Sequence, residues 1–444
     1  MSASPQQTAV LLPPSNSGLI EAGERLRSGG LVAFPTETVY GLGANALDEA
    51  AVRSIFTTKG RPLTDPLIVH VPTQEEALQL LELEPAAAII YELLATAFWP
   101  GPLTLVGKAV AKIPLSVTAG TGYVGIRCPN HDLAQRLLVE ARVPVAAPSA
   151  NRFGHVSPTT AQHVYNDLGS HNIAILDGER AAASTKEEEQ DVEQEVEQEV
   201  EQEVCRDNSR RRNGTRAVTC KIGIESTVAK VDGETKTIII FRRGGISETA
   251  IRECLKGTDY TVQALNKQVL HDPSHVPVDG SGTAGDEEQQ ETVSMADHGE
   301  QAPGQGLTHY APDVATSLVC DVGAGAESPT ACESGTAEPC ATPLKDCIVI
   351  DFGGHLLRFK NHVLGYRDLS TTSNVSEAAH QLFDTLRWTE SVTGAKQVLL
   401  VDICQVESLR SPEHPLQNVE HLNAVADRMF RAASGHRVYL DSTF

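Results

Sequence analysis

No stretch of this sequence is apolar for long enough to cross a bilayer. Its longest apolar runs, such as 85–90 and 238–241, fall far short of a spanning helix, so no membrane role is expected. The first residues, MSASPQQTAVLLPPSNSG, lack a basic segment followed by an apolar core and lack an Arg-rich amphipathic pattern, so no secretory or mitochondrial leader is read there. None of the nine cysteines stands in a CxxC pair, which removes the zinc-ribbon and redox-turn readings. Their odd number and scatter fit reduced thiols in a cytoplasmic protein. Cys332, Cys340 and Cys347 lie close in sequence but have no paired second half, so no protein metal site is expected. The chain also has no G-x-x-x-x-G-K-[ST] loop, no G-x-G-x-x-G after a strand, no HExxH and no Ser-His-Asp order. A nucleotide site here must therefore be assembled from less familiar parts.

Negative charge is plentiful but confined. The formal net charge is −22; residues 186–203 carry −9 and residues 271–300 carry −8, leaving −5 for everything else. The acidity belongs to segments that read as insertions. Residues 192–203 repeat VEQE three times, which places one valine per helical turn. That is too little apolar area to offset the entropy of ordering, so 181–217 is expected to be a disordered charged loop, with the basic stretch 206–216 facing the acidic run.

Outside those segments short apolar strands alternate with helices, the pattern of an α/β protein. Helices are expected over 17–30, from the Asp48 cap onward, and near 73–82, 85–98, 131–141, 159–168 and 247–256. Strands are expected at 31–34, 67–71, 103–108, 124–127, 143–147, 173–176, 225–231 and 237–242, with a loop through Gly43. Residues 261–312 read as a linker. A second α/β pattern follows over 313–444, with strands at 348–351 and 398–401 and helices at 376–392 and 421–433. With 17–260 as the first unit, this makes two domains, the usual outcome for a chain of 444 residues.

The polar residues with chemical potential gather just beside strands. Thr36, Glu37 and Thr38 follow 31–34, and Lys59 and Arg61 precede 67–70. Arg127 ends 124–127, Ser149 and Asn151 follow 144–148, Glu225 and Ser226 open 228–231, and Arg242 closes 237–241. Ligand sites of open α/β sheets form at strand ends. Guanidinium, ammonium and hydroxyl groups suit an anionic, polar ligand. Spacing alone names no reaction.

The strings LVAFPTETVYGLGANA (31–46), KGRPLTDPLIVH (59–70), FWPGPLTLV (98–106), VGIRCP (124–129), VAAPSANRFGHVSPTT (145–160), IESTV (224–228) and FRRGGIS (241–247) occur in an order that resembles the YrdC-like domain family, the threonylcarbamoyl-AMP synthases. The segment APGQGLTHYAP (302–312) is similar to the linker that leads, in longer members, to a small C-terminal domain. The resemblance implies a YrdC-like domain with a twisted mixed sheet and flanking helices, followed by a Rossmann-like α/β domain. It implies condensation of L-threonine, bicarbonate and ATP to threonylcarbamoyl-adenylate and pyrophosphate, with Mg²⁺ on the phosphates. A separate transferase complex would use the product on tRNA, which this chain meets only indirectly. Lys59 and Arg61 would hold phosphates. Thr38, His70, Arg127 and Ser226 would bind threonine. Asp65, Ser149, Asn151, Ser157, Arg242 and Tyr310 would join the nucleotide site. An alternative is a non-catalytic RNA-binding module of the same class, which calls for a basic surface. Carbamoyl-adenylate chemistry for hydrogenase maturation would need CxxC pairs and an acylphosphatase domain, and both are missing. The chain departs from the family pattern with Asp65 for the usual Asn, Tyr123 for Thr, Arg243 for Pro, and Gln305-Gly306-Leu307 in the linker.

Overall fold

The computed structural model describes residues 9–179, 220–265, 309–320, 337–406 and 421–440. The acidic segment 181–217, nearly all of the expected linker, and Cys332 lie outside the described residues. In order, the first unit comprises β1 (Val10–Leu12), α1 (Asn16–Arg27), β2 (Leu31–Phe34), β3 (Gly41–Asn45), α2 (Glu49–Lys59), β4 (Ile68–His70), α3 (Gln74–Leu78), β5 (Leu81–Glu82), α4 (Pro85–Phe98), β6 (Leu103–Ala109) and β7 (Tyr123–Arg127). It continues with α5 (Asp132–Ala141), β8 (Val145–Ala146), α6 (Ala161–Leu168), β9 (Ile173–Leu176), β10 (Thr227–Asp232), β11 (Thr237–Arg242), α7 (Glu248–Cys254) and β12 (Thr261–Ala264). The second unit holds β13 (Thr316–Cys320), β14 (Glu338–Pro339), β15 (Cys347–Asp351), β16 (Gly365–Asp368), α8 (Val375–Ser391), β17 (Gln397–Val401), α9 (Leu422–Ala432) and β18 (Arg437–Tyr439).

The first unit is a mixed sheet in the order β1-β9-β2-β3-β8-β4-β7-β6-β10-β11-β12, with β5 beside β6. The second is a smaller sheet in the order β14-β18-β13-β17-β15-β16, every pair of it parallel. The chain is thus α/β throughout. Among the described residues no helix is long and apolar enough to cross a membrane, and no cysteine is in a disulfide.

The expected helices form, with trimmed ends set by caps. Asp48 accepts from the amides of Ala50 and Ala51 at the start of α2, a contact worth about 0.5–2 kcal/mol. Thr160 caps α6 by accepting from the His163 amide, so that helix starts after 159. The helix expected near 73–82 closes at Leu78, and Leu81–Glu82 pairs with β6 instead. The largest correction is β3. Its glycines argue for a loop, yet Gly41–Asn45 pairs with β2 on one side and β8 on the other. Gly43 is required there for packing: a Cβ would come within 2.7 Å of Val145 and 2.9 Å of Phe34. Strand β12 pairs with β11 and extends the first sheet past the expected boundary at 260.

The units dock through side chains from both. Val39, Val156, Ile224 and Tyr310 share one apolar core with Phe383, Leu386 and other residues of the second unit. Beside it lies a buried polar cluster. His155 Nδ1 stands 2.8 Å from Asp167 and its Nε2 stands 2.6 Å from Glu390 of α8. Both ring nitrogens face carboxylates, so both must carry protons. His155, Asp313 and Glu390 have ligand atoms close enough to suggest a cation site. The proton-bridged reading is better, because Arg152 already pairs with Asp313 at 2.9 Å and His155 with Glu390.

This cluster gives a pH dependence. Burial disfavours the charged imidazole, but hydrogen bonds to Asp167 and Glu390 outweigh it and raise the His155 pKa. A raised pKa stabilises the fold fully below the unfolded value of about 6.5 and ceases to do so as pH rises through the folded value. Thermal midpoints measured from pH 6 to 9 should fall more steeply for the natural protein than for His155→Gln. Parallel curves would show that no imidazolium bridges the units.

Candidate functional site

The chain folds so that several strand ends meet around one cavity. Strands β4 and β7 run parallel with His70 opposite Arg127, placing both at the same edge. Thr36 and Thr38 follow β2, Ser149 follows β8, Ser226 precedes β10, and Arg242 ends β11. On the other flank α2 ends at Gly60, whose φ of 64° is left-handed and whose amide closes on Phe56 and Thr57. A side chain there would be strained. This reversal sets Lys59 on the last helical turn and sends Arg61 toward the cavity.

The cavity is lined by Thr36, Thr38, Val39, Gly41, Arg61, Pro66, Ile68, His70, Arg127, Ala147, Pro148, Ser149, Glu225, Ser226, Arg242 and His309. Three guanidinium groups and one carboxylate therefore face it, a balance that favours an anion. Arg127 donates to Thr38 Oγ1 at 3.0 Å; Thr38 in turn donates to Thr36 at 2.8 Å, and Thr36 to the Val39 carbonyl at 2.7 Å. Glu37 holds Arg127 from behind at 2.8 Å. Arg242 reaches the Ser226 carbonyl at 3.1 Å and its hydroxyl at 3.2 Å, and that hydroxyl also lies 2.8 Å from Thr104.

Two histidines on the wall are kept neutral. Burial, aided by Arg127, lowers the His70 pKa to about 3. Burial and then Arg61, Arg242 and Lys59 push His309 well below its ordinary value. The Nδ1 atoms of both lack a protein partner among the described residues. Buried polar atoms are normally satisfied, so a ligand's polar group fits there.

The structure brings Thr38, Arg61, His70, Arg127, Ser149, Ser226 and Arg242 together. Other expected site residues stand one step back. Lys59 donates to the carbonyls of Ser149 and Asn151. Burial, and then the Arg61 charge, push its pKa well down. Asn151 braces its own loop through the carbonyls of Arg152 and His155. Ser157 donates to Glu225 at 2.7 Å. Asp65 pairs with Arg61 at 2.8 Å, so the acid that departs from the family pattern is neutralised within the fold. Tyr123 is on the surface beneath Lys230, outside the cavity lining.

Tyr310, expected at the nucleotide site, is not among the residues that line this cavity. It is buried against Phe383 of α8, with ring centroids 5.3 Å apart. Its φ of 66° reverses the chain, so that His309 and not Tyr310 reaches the cavity. Sequence reading grouped Glu37 and Glu225 with the strand-end polar residues but gave neither a role, and it passed over His309. His309 adjoins Tyr310, which was singled out on other grounds, and no local signal separates it from a turn residue.

Fold and cavity define a two-unit α/β protein with a buried, positively charged cleft at strand ends. Comparison with known proteins agrees. The model of the family described as "Telomere recombination" matches residues 24–200, and that described as "Threonylcarbamoyl-AMP synthase, C-terminal domain" matches residues 246–434. A threonylcarbamoyl-AMP synthase of Pyrococcus abyssi is 50% identical over 153 residues, 34% of this chain and 44% of that protein. One of Vibrio vulnificus is 35% identical over 164 residues, 37% of this chain and 87% of that protein. The solved structure of P. abyssi Sua5 complexed with L-threonine superposes with a TM-score of 0.61 at 26% identity, covering 98% of this chain and 99% of that one. This chain belongs to the threonylcarbamoyl-AMP synthase family. Its aligned part spans about half the length of the first curated relatives it matches.

Proposed function

We propose that this protein is a nucleotidyltransferase that makes L-threonylcarbamoyladenylate from L-threonine, bicarbonate and ATP, releasing pyrophosphate. The observation that carries this reading is the convergence of Arg61, Arg127 and Arg242 with the hydroxyls of Thr38, Ser149 and Ser226 on one buried cavity. Arg127 sits between Thr38 and Glu37, where it would take the threonine carboxylate, with His70 and Ser226 beside it. Arg61 and Arg242 would face the phosphates, with Lys59, Asn151 and Ser157 fixing the loops around them.

In the chemistry, the threonine nitrogen bonds to the bicarbonate carbon and water leaves, giving a carbamate. A carbamate oxygen then attacks the α-phosphorus, and the bond to pyrophosphate breaks. Two anions must meet, so fixed cations and alignment supply the catalysis, and no side chain needs to become a covalent intermediate. Mg²⁺ would ride on the ATP phosphates, because Glu37, Asp65 and Glu225 each already face a guanidinium. The product would pass to a separate transferase acting on tRNA. An RNA-binding surface is a poorer fit, since Arg61, Arg127 and Lys59 are buried.

The test is pyrophosphate release by the full chain with each substrate omitted in turn. Release is expected only when threonine, bicarbonate and ATP are all present. Equal ATP hydrolysis without threonine would refute the proposal.

A further inference from the structure

Among the described residues Glu225 is the one carboxylate on the wall of a cavity otherwise lined by guanidinium, imidazole, hydroxyl and apolar groups. Left unpaired, it would repel the anions the cavity is built to admit. One of its oxygens accepts from Ser157 at 2.7 Å. The other accepts from Arg428 Nε at 3.2 Å. Arg428 comes from α9 of the second unit, 203 residues further along the chain, and it is completely buried. Its guanidinium lies over the Tyr310 ring, 5.6 Å from the centroid, and contacts the Ala424 carbonyl at 3.4 Å and Asp427 at 3.4 Å.

The placement of Glu225 has consequences for its neighbours. It immediately precedes Ser226, whose hydroxyl and carbonyl both receive Arg242, and its own carbonyl accepts from the Gly245 amide at 3.0 Å. A carboxylate that swings toward Arg242 would thus remove a cation from the cavity and disturb the Ser226 hydroxyl together.

We propose that Arg428 is a positioning residue for the adenylate-forming site: it holds Glu225 back against the cavity wall and neutralises it, so that the second unit sets how well the first binds ATP. This rests on the function proposed above. The physical reason is that a buried charge left without its partner is costly and reorganises its surroundings. The partner here comes from the far end of the chain, so the site is complete only while α9 is docked.

The experiment uses the full chain and the variants Arg428→Met, Arg428→Lys, and Arg428→Met with Glu225→Gln. Methionine fills the space over Tyr310 without charge. For Arg428→Met, KM for ATP is expected to rise at least about tenfold with kcat within about threefold. The double variant, which no longer holds an unpaired carboxylate, should recover most of that loss, and Arg428→Lys should fall between. A merely structural role would lower kcat through loss of active protein and leave KM unmoved, and Glu225→Gln would not rescue it. Either result, or an Arg428→Met KM within about twofold of the natural protein, overturns the proposal. If Arg428→Met fails to fold, the same comparison is made between Arg428→Lys and Arg428→Lys with Glu225→Gln. Should the natural protein release no pyrophosphate, the functional reading fails by itself. The same variants are then compared by calorimetric ATP binding, where weakening by Arg428→Met and recovery by Glu225→Gln remain the expected outcome, and equal affinities refute positioning.

Discussion

Arg387→Ala is expected to destabilise the protein by about 3–5 kcal/mol, the usual cost of leaving one half of a buried ion pair behind. Arg387 projects from α8 into the first unit with both terminal nitrogens on Asp167, at 3.1 and 3.0 Å. It also donates to the Val156 carbonyl and, at 3.5 Å, to that of Ser157. Both side chains of the pair are almost fully buried. Burial alone would raise the Asp167 pKa, but His155 and Arg387 hold it well below the carboxylate range. Without Arg387 that carboxylate keeps only His155 and the Arg152 amide. The chain has two tryptophans, Trp99 in the first unit and Trp388 next to Arg387 in the second. Urea unfolding followed by fluorescence, with and without Trp99→Phe, therefore reports on each unit. The Trp388 transition should move to lower urea, and adding Asp167→Asn should restore part of the loss. A shift worth less than about 1 kcal/mol would mean that this bidentate pair does not hold the units together.

The largest catalytic effect is expected at Arg61. Arg61→Ala should lower kcat/KM for ATP by about 10²–10³-fold, in the range found for removing one donor from a preorganised charge-stabilising site. The side chain is oriented by the carbonyls of Asp65 and Pro66, at 3.2 and 2.9 Å, and by the Asp65 carboxylate at 2.8 Å. Deleting it removes attraction for phosphate and also takes from the buried Asp65 carboxylate its Arg61 partner. The two contributions separate in Arg61→Ala with Asp65→Asn, which should recover the share due to Asp65 while ATP turnover stays well below that of the natural protein. That double variant should also retain its circular dichroism, because the buried charge of Asp65 is removed together with its Arg61 partner. Arg61→Ala with kcat/KM within about threefold of normal would remove Arg61 from the site.

Much of the architecture is legible in local pattern. Leu31–Phe34 stopped by Pro35, the Asp48 cap with apolar Ala51, Val52, Ile55 and Phe56, and the strand of Leu103–Ala109 all form near where their spacing puts them. Strand β3 was not legible, since Gly41 and Gly43 have little strand preference of their own and are recruited by pairing on both sides. Tyr310 illustrates a different limit. It neighbours His309, and only a positive φ decides which of the two faces the cavity.

By itself the sequence determines most of the segments that become strands and helices, β3 and β5 excepted, because hydrophobic period and capping act over a few residues. It also places the cations and hydroxyls at strand ends, because those positions follow directly from the segments. Tertiary structure alone decides which of these groups face a ligand and which are consumed by partners. Asp65 neutralises Arg61 from four residues away, and Glu37 neutralises Arg127 from 90 residues away in the chain. Asp167 meets Arg387, and Glu225 meets Arg428, only when the two units dock. An ion pair carries no periodic signature along a chain. Its strength comes from burial that distant elements create together, so the charge balance of this cavity is a property of the folded pair of units.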